Sequence, residues 1–175
     1  MKKTRKEVTN EMAGNGVFDN AMVKLATGLV NVGAANTHMF CVLGTVAPTA
    51  HKDTWATYSD VKYIGAGNPF EINTVNGYTL GGGFDATHGI AMSVPTVTAA
   101  VTGLKTSAAT VFTTTGTLAA SYAVTNWAVT ASDLANTANS ILSYHNIGAQ
   151  SVTNGTLTLT WNAAGIFTLT VGADS

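Results

Sequence analysis

The sequence predicts a mainly β protein, an antiparallel β-sandwich of jelly-roll or Ig-like type with one N-terminal amphipathic helix and a basic N-terminal arm. Three observations point there. Within residues 151–171 the chain alternates with period two, Leu157, Leu159 and Trp161 against Thr156, Thr158 and Thr160, as a half-buried strand requires. Residues 90–94, 97–104, 109–115 and 118–129 form a series of extended candidates rich in threonine and valine, separated by Pro95, Gly103 and Gly116. Helical periodicity occurs early in the chain and does not recur between these strands, so the alternation of strand and helix typical of parallel sheets is missing.

Taken in order, residues 1–16 read as a polar arm whose tip carries Lys2, Lys3, Arg5 and Lys6, with Gly14, Asn15 and Gly16 interrupting any helix begun earlier. From residue 17 the pattern changes. Phe18, Met22, Leu25, Leu29 and Val32 fall on one stripe and Gly33 is a plausible stop, so a helix over 17–33 should lay that stripe across the β-core. Residues 38–45, HMFCVLGT, are a compact apolar run of the kind a buried strand shows. Residues 46–67 read as a long excursion with little regular structure, in which Trp55, Tyr58 and Tyr63 stand among Lys52, Asp53, Asp60 and Lys62. Long loops in compact domains are usually functional or interfacial, and amphipathic aromatics anchor interfaces; Trp55, Tyr58 and Tyr63 are therefore assigned, with the four basic arm residues, to an assembly surface.

Asn76-Gly77 and the Gly81-Gly82-Gly83 run imply tight turns or close backbone approach. Residues 133–139 form a polar loop and 140–147 a short strand carrying Ile141 and Tyr144. In 151–171 the loop Asn162-Ala163-Ala164-Gly165 separates the first alternating run from Phe167, Leu169 and Val171, which predicts a C-terminal antiparallel hairpin. The resulting organisation is an arm over 1–16 and a single domain over 17–175 that includes the helix.

Composition narrows the function. Charged residues are 10 % of the 175, against about 25 % in ordinary globular proteins, while hydrophobic residues are 46 % and mean hydropathy is +0.22. So little charge protects a free monomer poorly against association, which points to surface covered in a homo-oligomer (trimer or dimer) or a larger assembly. The charge is also lopsided: beyond Lys105 the only charged side chains are Asp133 and Asp174. Four basic residues at the tip are too few to argue nucleic-acid binding. Cys41 is the single cysteine, so neither an intrachain disulfide nor a cysteine zinc cluster can form. No apolar run approaches a membrane span, and the basic start leads into EVTNEMAGNG rather than an apolar segment, so it does not read as a secretory signal. Folding in a cytoplasm is expected.

The motifs of chemistry are missing. His38, His51, His88 and His145 lack metal-ligand spacing, and no Gly-x-Ser-x-Gly elbow occurs. The Gly81–Gly83 run is not followed by Lys-Ser/Thr or a helical pattern, which excludes a phosphate loop. Asp85 and His88 form the nearest approach to a catalytic pair, but such residues on loops are ordinarily solvated. Asn154-Gly155-Thr156 matches a glycosylation acceptor and reads as a turn. The expectation is a non-enzymatic protein with no cofactor and no metal.

With these residues in hand, the chain resembles a family of small virion structural proteins of tailed bacteriophages, especially those of marine and cyanobacterial hosts. The likeness lies in an order of features over roughly the last two thirds of the chain. Asn68-Pro69-Phe70-Glu71-Ile72 precedes a Gly-Tyr-Thr-x-Gly-Gly stretch from Gly77 to Gly82. A Tyr-bearing strand over 119–126 follows, then Val-Thr-Asn-Gly-Thr from Val152 and Trp-Asn-x-x-Gly-Ile-Phe ending at Phe167. Where the family has Trp followed by Thr in the preceding strand, this chain has Val111-Phe112-Thr113. The resemblance implies a β-sandwich without enzymatic activity, assembled in the host cytoplasm into the virion. Its partners would be the major capsid protein or other virion proteins, which it would serve as a decoration or cement protein, or alternatively as a tail, neck or fibre component binding a host surface.

Overall fold

A computed structural model of the chain describes residues 15–30, 38–63, 70–81, 90–98, 101–106, 110–128, 138–159 and 167–170. It is mainly β, and every strand pairing in it is antiparallel. The larger sheet has the order β1 (Gly16–Val17), β7 (Ser140–Thr153), β6 (Thr117–Ala128), β2 (His38–Gly44), β3 (Ile90–Thr98), β4 (Val101–Thr106), β9 (Phe167–Thr170); β5 (Thr110–Thr113) pairs with β8 (Thr156–Leu159).

Strand β2 is central because both of its faces are buried. Phe40 and Val42 join Val124, Ala128, Ile141 and Tyr144 in one core, while Cys41 and Leu43 join Ala123, Leu118, Phe112 and Leu157 in a second. A strand buried on both sides has no solvent face to mark with polar residues, which is why its sequence is a continuous apolar run. Its pairing with β6 runs from His38 opposite Ala128 to Gly44 opposite Tyr122.

The first core is roofed by α1 (Asp19–Ala26) and by residues 46–63. The helix is shorter than the predicted 17–33: it ends at Thr27, with Gly28 in the left-handed region at φ 73, so Gly28 and not Gly33 is its stop. Gly16 already belongs to β1, and the arm ahead of Asn15 lies outside the described residues. The buried face also differs from the predicted stripe. Phe18 and Ala21 are buried and Leu25 packs beside them, but Met22 and Leu29 are exposed. The cause is a demand for donors: Asn20 Nδ2 donates to the carbonyls of Asp53 (3.3 Å) and Trp55 (3.2 Å), and Lys24 Nζ donates to the carbonyl of Ala56 (2.9 Å) and to Ser140 Oγ (3.0 Å). Carbonyls turned inward need partners, and satisfying them rolls the helix so that Asn20 and Lys24 face the body.

Residues 46–63 are more regular than their composition implied, with a 3-10 turn at Pro48–His51 and α2 at Tyr58–Val61. Asp60 holds the entry to α2, its Oδ2 accepting the backbone N–H groups of Ala56 and Thr57 at 2.8 Å each.

Strands β6 and β7 pair from Thr117 opposite Thr153 to Trp127 opposite Ser140, and beyond a corner β5 and β8 continue with Thr113 opposite Thr156 and Thr110 opposite Leu159. They form one long ribbon, bent at residues 114–116 and 154–155. There Gly155 accepts the Thr114 N–H at 2.8 Å, Gly116 accepts the Asn154 N–H at 3.1 Å, and Asn154 has φ 49. The bend folds β5 and β8 back so that Phe112, Leu157 and Leu159 share the second core with Cys41 and Leu43. A tight turn braces it: Val75 and Tyr78 pair around Asn76 (φ 49) and Gly77 (φ 91), and Asn76 accepts the Thr115 N–H (2.8 Å) and donates from Nδ2 to the Thr117 carbonyl (2.6 Å).

The predicted C-terminal hairpin is not formed. β8 pairs with β5 and β9 with β4, so the two halves of 151–171 take different partners. Alternation fixes that a segment is extended and which side chains go inward, but a strand's partner is chosen by contacts distant in sequence. Likewise 140–147 and the start of 151–171 are one strand, β7. Trp161 lies outside the described residues.

Gly77 tests the corner, since a Cβ there would sit 2.5 Å from the Thr113 carbonyl oxygen on a left-handed backbone. Gly77→Ala is expected to lower stability by about 1–3 kcal/mol, read as a shifted urea midpoint at unchanged slope.

Candidate assembly surface and the buried carboxylate behind it

Among the described residues, the most tightly organised polar group is one to which the sequence assigned no role. Glu71 is 2 % exposed and lies against the end of β2: its N–H donates to the Val61 carbonyl, its neighbour Ile72 donates to Leu43, and it bridges Gly44. Oε2 accepts the Tyr58 hydroxyl (2.9 Å) and the Tyr63 N–H (3.1 Å), and Oε1 accepts the Tyr78 hydroxyl (2.8 Å) and the Gly81 N–H (2.8 Å). The Tyr78 hydroxyl in turn accepts the Leu43 N–H at 3.2 Å. Tyr58 belongs to the first core and Tyr78 to the second, so one carboxylate straps both to the central strand. Burial pushes the Glu71 carboxyl above its usual range against the pull of these hydrogen bonds, and burial followed by the nearby carboxylate raises both tyrosines. A carboxylate so enclosed and so fully engaged acts structurally. A lone Glu between Phe70 and Ile72 in a charge-poor chain was the available signal.

The expected assembly residues divide. Lys2, Lys3, Arg5 and Lys6 lie outside the described residues. Trp55 and Tyr58 are corrected: at 7 % and 0 % exposed they face inward, not toward a partner. Trp55 stacks on His51 (4.4 Å between centroids) and meets Phe18 and Phe70; Tyr58 packs edge-on to Phe40. The irregular aromatic spacing reflected a roof over the core, since a roof lacking strand or helix periodicity still needs large side chains to fill it. Tyr63 is half-buried, with its N–H committed to Glu71.

Among the described residues, two open surfaces stand out. Because α1 turns Asn20 and Lys24 inward, it turns Met22 and Val23 outward, with Leu29 beyond its end; Val23 is 60 % and Leu29 70 % exposed. The bent ribbon presents the second. From residue 110 to 120 exposure alternates through the corner, with Phe112, Leu118 and Ala120 inside and Val111, Thr113, Thr115, Thr117 and Ala119 outside.

Among the remaining titratable groups, Cys41 is fully buried and its thiol is pushed well above its usual range by desolvation. Lys24 is shifted down by burial, with Asp60 opposing. His145 shares a 2.9 Å hydrogen bond with Ser143 Oγ, which meets Thr125 Oγ1 at 2.6 Å, and burial lowers its imidazole to about 4. Asp85 and His88 lie outside the described residues. Among the described residues no group of three or more His, Cys, Asp or Glu could hold a metal ion, and no helix is long and apolar enough to cross a membrane.

What the fold and these surfaces define is a mainly β, antiparallel protein whose open faces carry apolar and hydroxyl groups. Comparison with protein-family models, curated proteins and solved structures found no match to this chain.

Glu71→Ala would strand two tyrosine hydroxyls and two backbone N–H groups, and is expected to cost at least about 3 kcal/mol in chemical denaturation. His145 gives the opposite handle, pH. Its folded value lies below the usual 6.5, so its contribution is present above that pH and is lost as pH falls from 6.5 toward about 4. Thermal melts should show His145→Gln losing less stability than the parent across that interval.

Proposed function

We propose that this chain is a bacteriophage virion structural protein, a capsid decoration or cement protein built on a β-sandwich, that acts by adhesion and transforms no substrate. The observation that carries the reading is the roll of the helix. A chain with only 10 % charged residues spends Asn20 and Lys24 of α1 on internal carbonyls and leaves Met22, Val23 and Leu29 outward. We take these exposed apolar groups as the contact site. The basic arm lies ahead of α1 in sequence, and Lys2, Lys3, Arg5 and Lys6 are read with the outward face of α1 as the groups that meet coat subunits. The resemblance to virion proteins of tailed phages supports the same partner. The ribbon folded over the second core supports the sandwich, as two facing layers sharing one set of apolar side chains.

The mechanism is additive. Each copy contributes buried apolar area at about 25 cal/mol per Å², and contacts repeated around a shell act together because engagement at one site raises the effective concentration at the next. Neither cofactor nor metal has a part in it. The particle is assembled in the host cytoplasm.

Incorporation into particles tests this. Replacing Lys2, Lys3, Arg5 and Lys6 by Ala, or Val23→Asp alone, is expected to lower incorporation by at least about tenfold, a loss of about 1.4 kcal/mol, with unchanged melting of the free protein. Full incorporation of both variants would overturn the reading. Protein gels of parent particles should show hundreds of copies; a handful would place the protein in the tail or neck instead.

A further inference from the structure

We propose that the outward face of the β5–β8 ribbon is a docking surface for a second copy of this chain. The face is made of cross-strand pairs: Val111 opposite Thr158, Thr113 opposite Thr156 and, past the corner, Thr117 opposite Thr153, whose hydroxyls meet at 2.8 Å. All six are exposed, Val111 by 56 %. Between Lys105 and Asp133, and again between Asp133 and Asp174, the sequence has no Asp, Glu, Lys or Arg, so the ribbon carries no formal charge.

That absence of charge selects the occupant. A partner bringing ionised side chains to this face would strip them of water and find no counter-charge to offset the loss. Elsewhere on the chain charge is present: Asp19, Lys52, Asp53, Asp60 and Lys62 belong to the elements roofing the first core, across the sheet from the ribbon. The ribbon of another copy presents the same charge-free threonine face and needs no counter-charge. Threonine suits such a contact, offering a methyl to bury and a hydroxyl that both donates and accepts, so two threonine faces can interdigitate without stranding a polar atom. A two-fold contact sets each face on its twin and closes, leaving no further copy able to add.

The inference deepens the virion reading by naming the surface of its homo-oligomer, yet its test needs no particle. Sedimentation equilibrium of the full chain should show a closed oligomer that dissociates on dilution. Thr113→Lys, and independently Thr158→Lys, should weaken association by at least about tenfold, with far-UV circular dichroism unchanged. Mixing Thr113→Lys with Thr113→Asp copies should restore association that neither shows alone. Val23→Asp, on the other surface, should leave the oligomer intact. A parent chain that stays monomeric, folded lysine variants that remain associated, or an oligomer broken by Val23→Asp would each overturn the proposal. A monomer that still enters particles would sink this inference and leave the virion reading standing, whereas an oligomer that never enters them would do the reverse.

Discussion

The fold hangs on a constraint imposed by one buried charge. A carboxylate withdrawn from water must be met by donors, and Glu71 meets four, from Tyr58 on α2, from the Tyr63 backbone just after it, from Tyr78 beyond the Asn76-Gly77 turn, and from the Gly81 backbone. Those donors come from segments on both sides of β2. Once the carboxylate is placed, the roof over the first core and the turn that braces the ribbon cannot move independently of the central strand. The same turn fills the bend at residues 114–116, so the position of Glu71 is felt as far away as the ribbon.

A second constraint is scarcity. The chain has few charged or long polar side chains, and several of them are spent inside: Lys24 and Asn20 on carbonyls of residues 53–56, Asp60 on the entry to α2, Glu71 on the tyrosines. Internal use of these groups leaves valine, methionine, leucine and threonine on the two faces described above. This division of labour supports a reading as an assembly component, since surfaces poor in hydrated charge cost little to desolvate. It also separates the two open faces: α1 and the roof beside it carry Asp19, Lys52, Asp53, Asp60 and Lys62, whereas β5 and β8 carry no ionised side chain.

Much was legible where local pattern is sufficient. The apolar run at 38–45 announced a buried strand; period-two alternation placed Leu157 and Leu159 inward; Asn76-Gly77 announced its turn. Less was legible where the decision depends on atoms far along the chain. The stripe through Phe18, Met22 and Leu29 was a sound helical reading, but the helix rolled away from it because carbonyls at Asp53, Trp55 and Ala56 needed Asn20 and Lys24. Trp55 and Tyr58 read as interface anchors because nothing near them in sequence showed the Phe18, Phe40 and Phe70 rings that enclose them.

By itself, then, the order of residues determined which segments are extended, where the chain turns, and how little charge it can show to its surroundings, because propensity, periodicity and composition act over a few residues. Tertiary structure alone decided which strand pairs with which, which side of α1 faces in, and that Glu71 is the strap between two cores. Those outcomes turn on satisfying buried donors and acceptors across long sequence separations, a requirement no local pattern records.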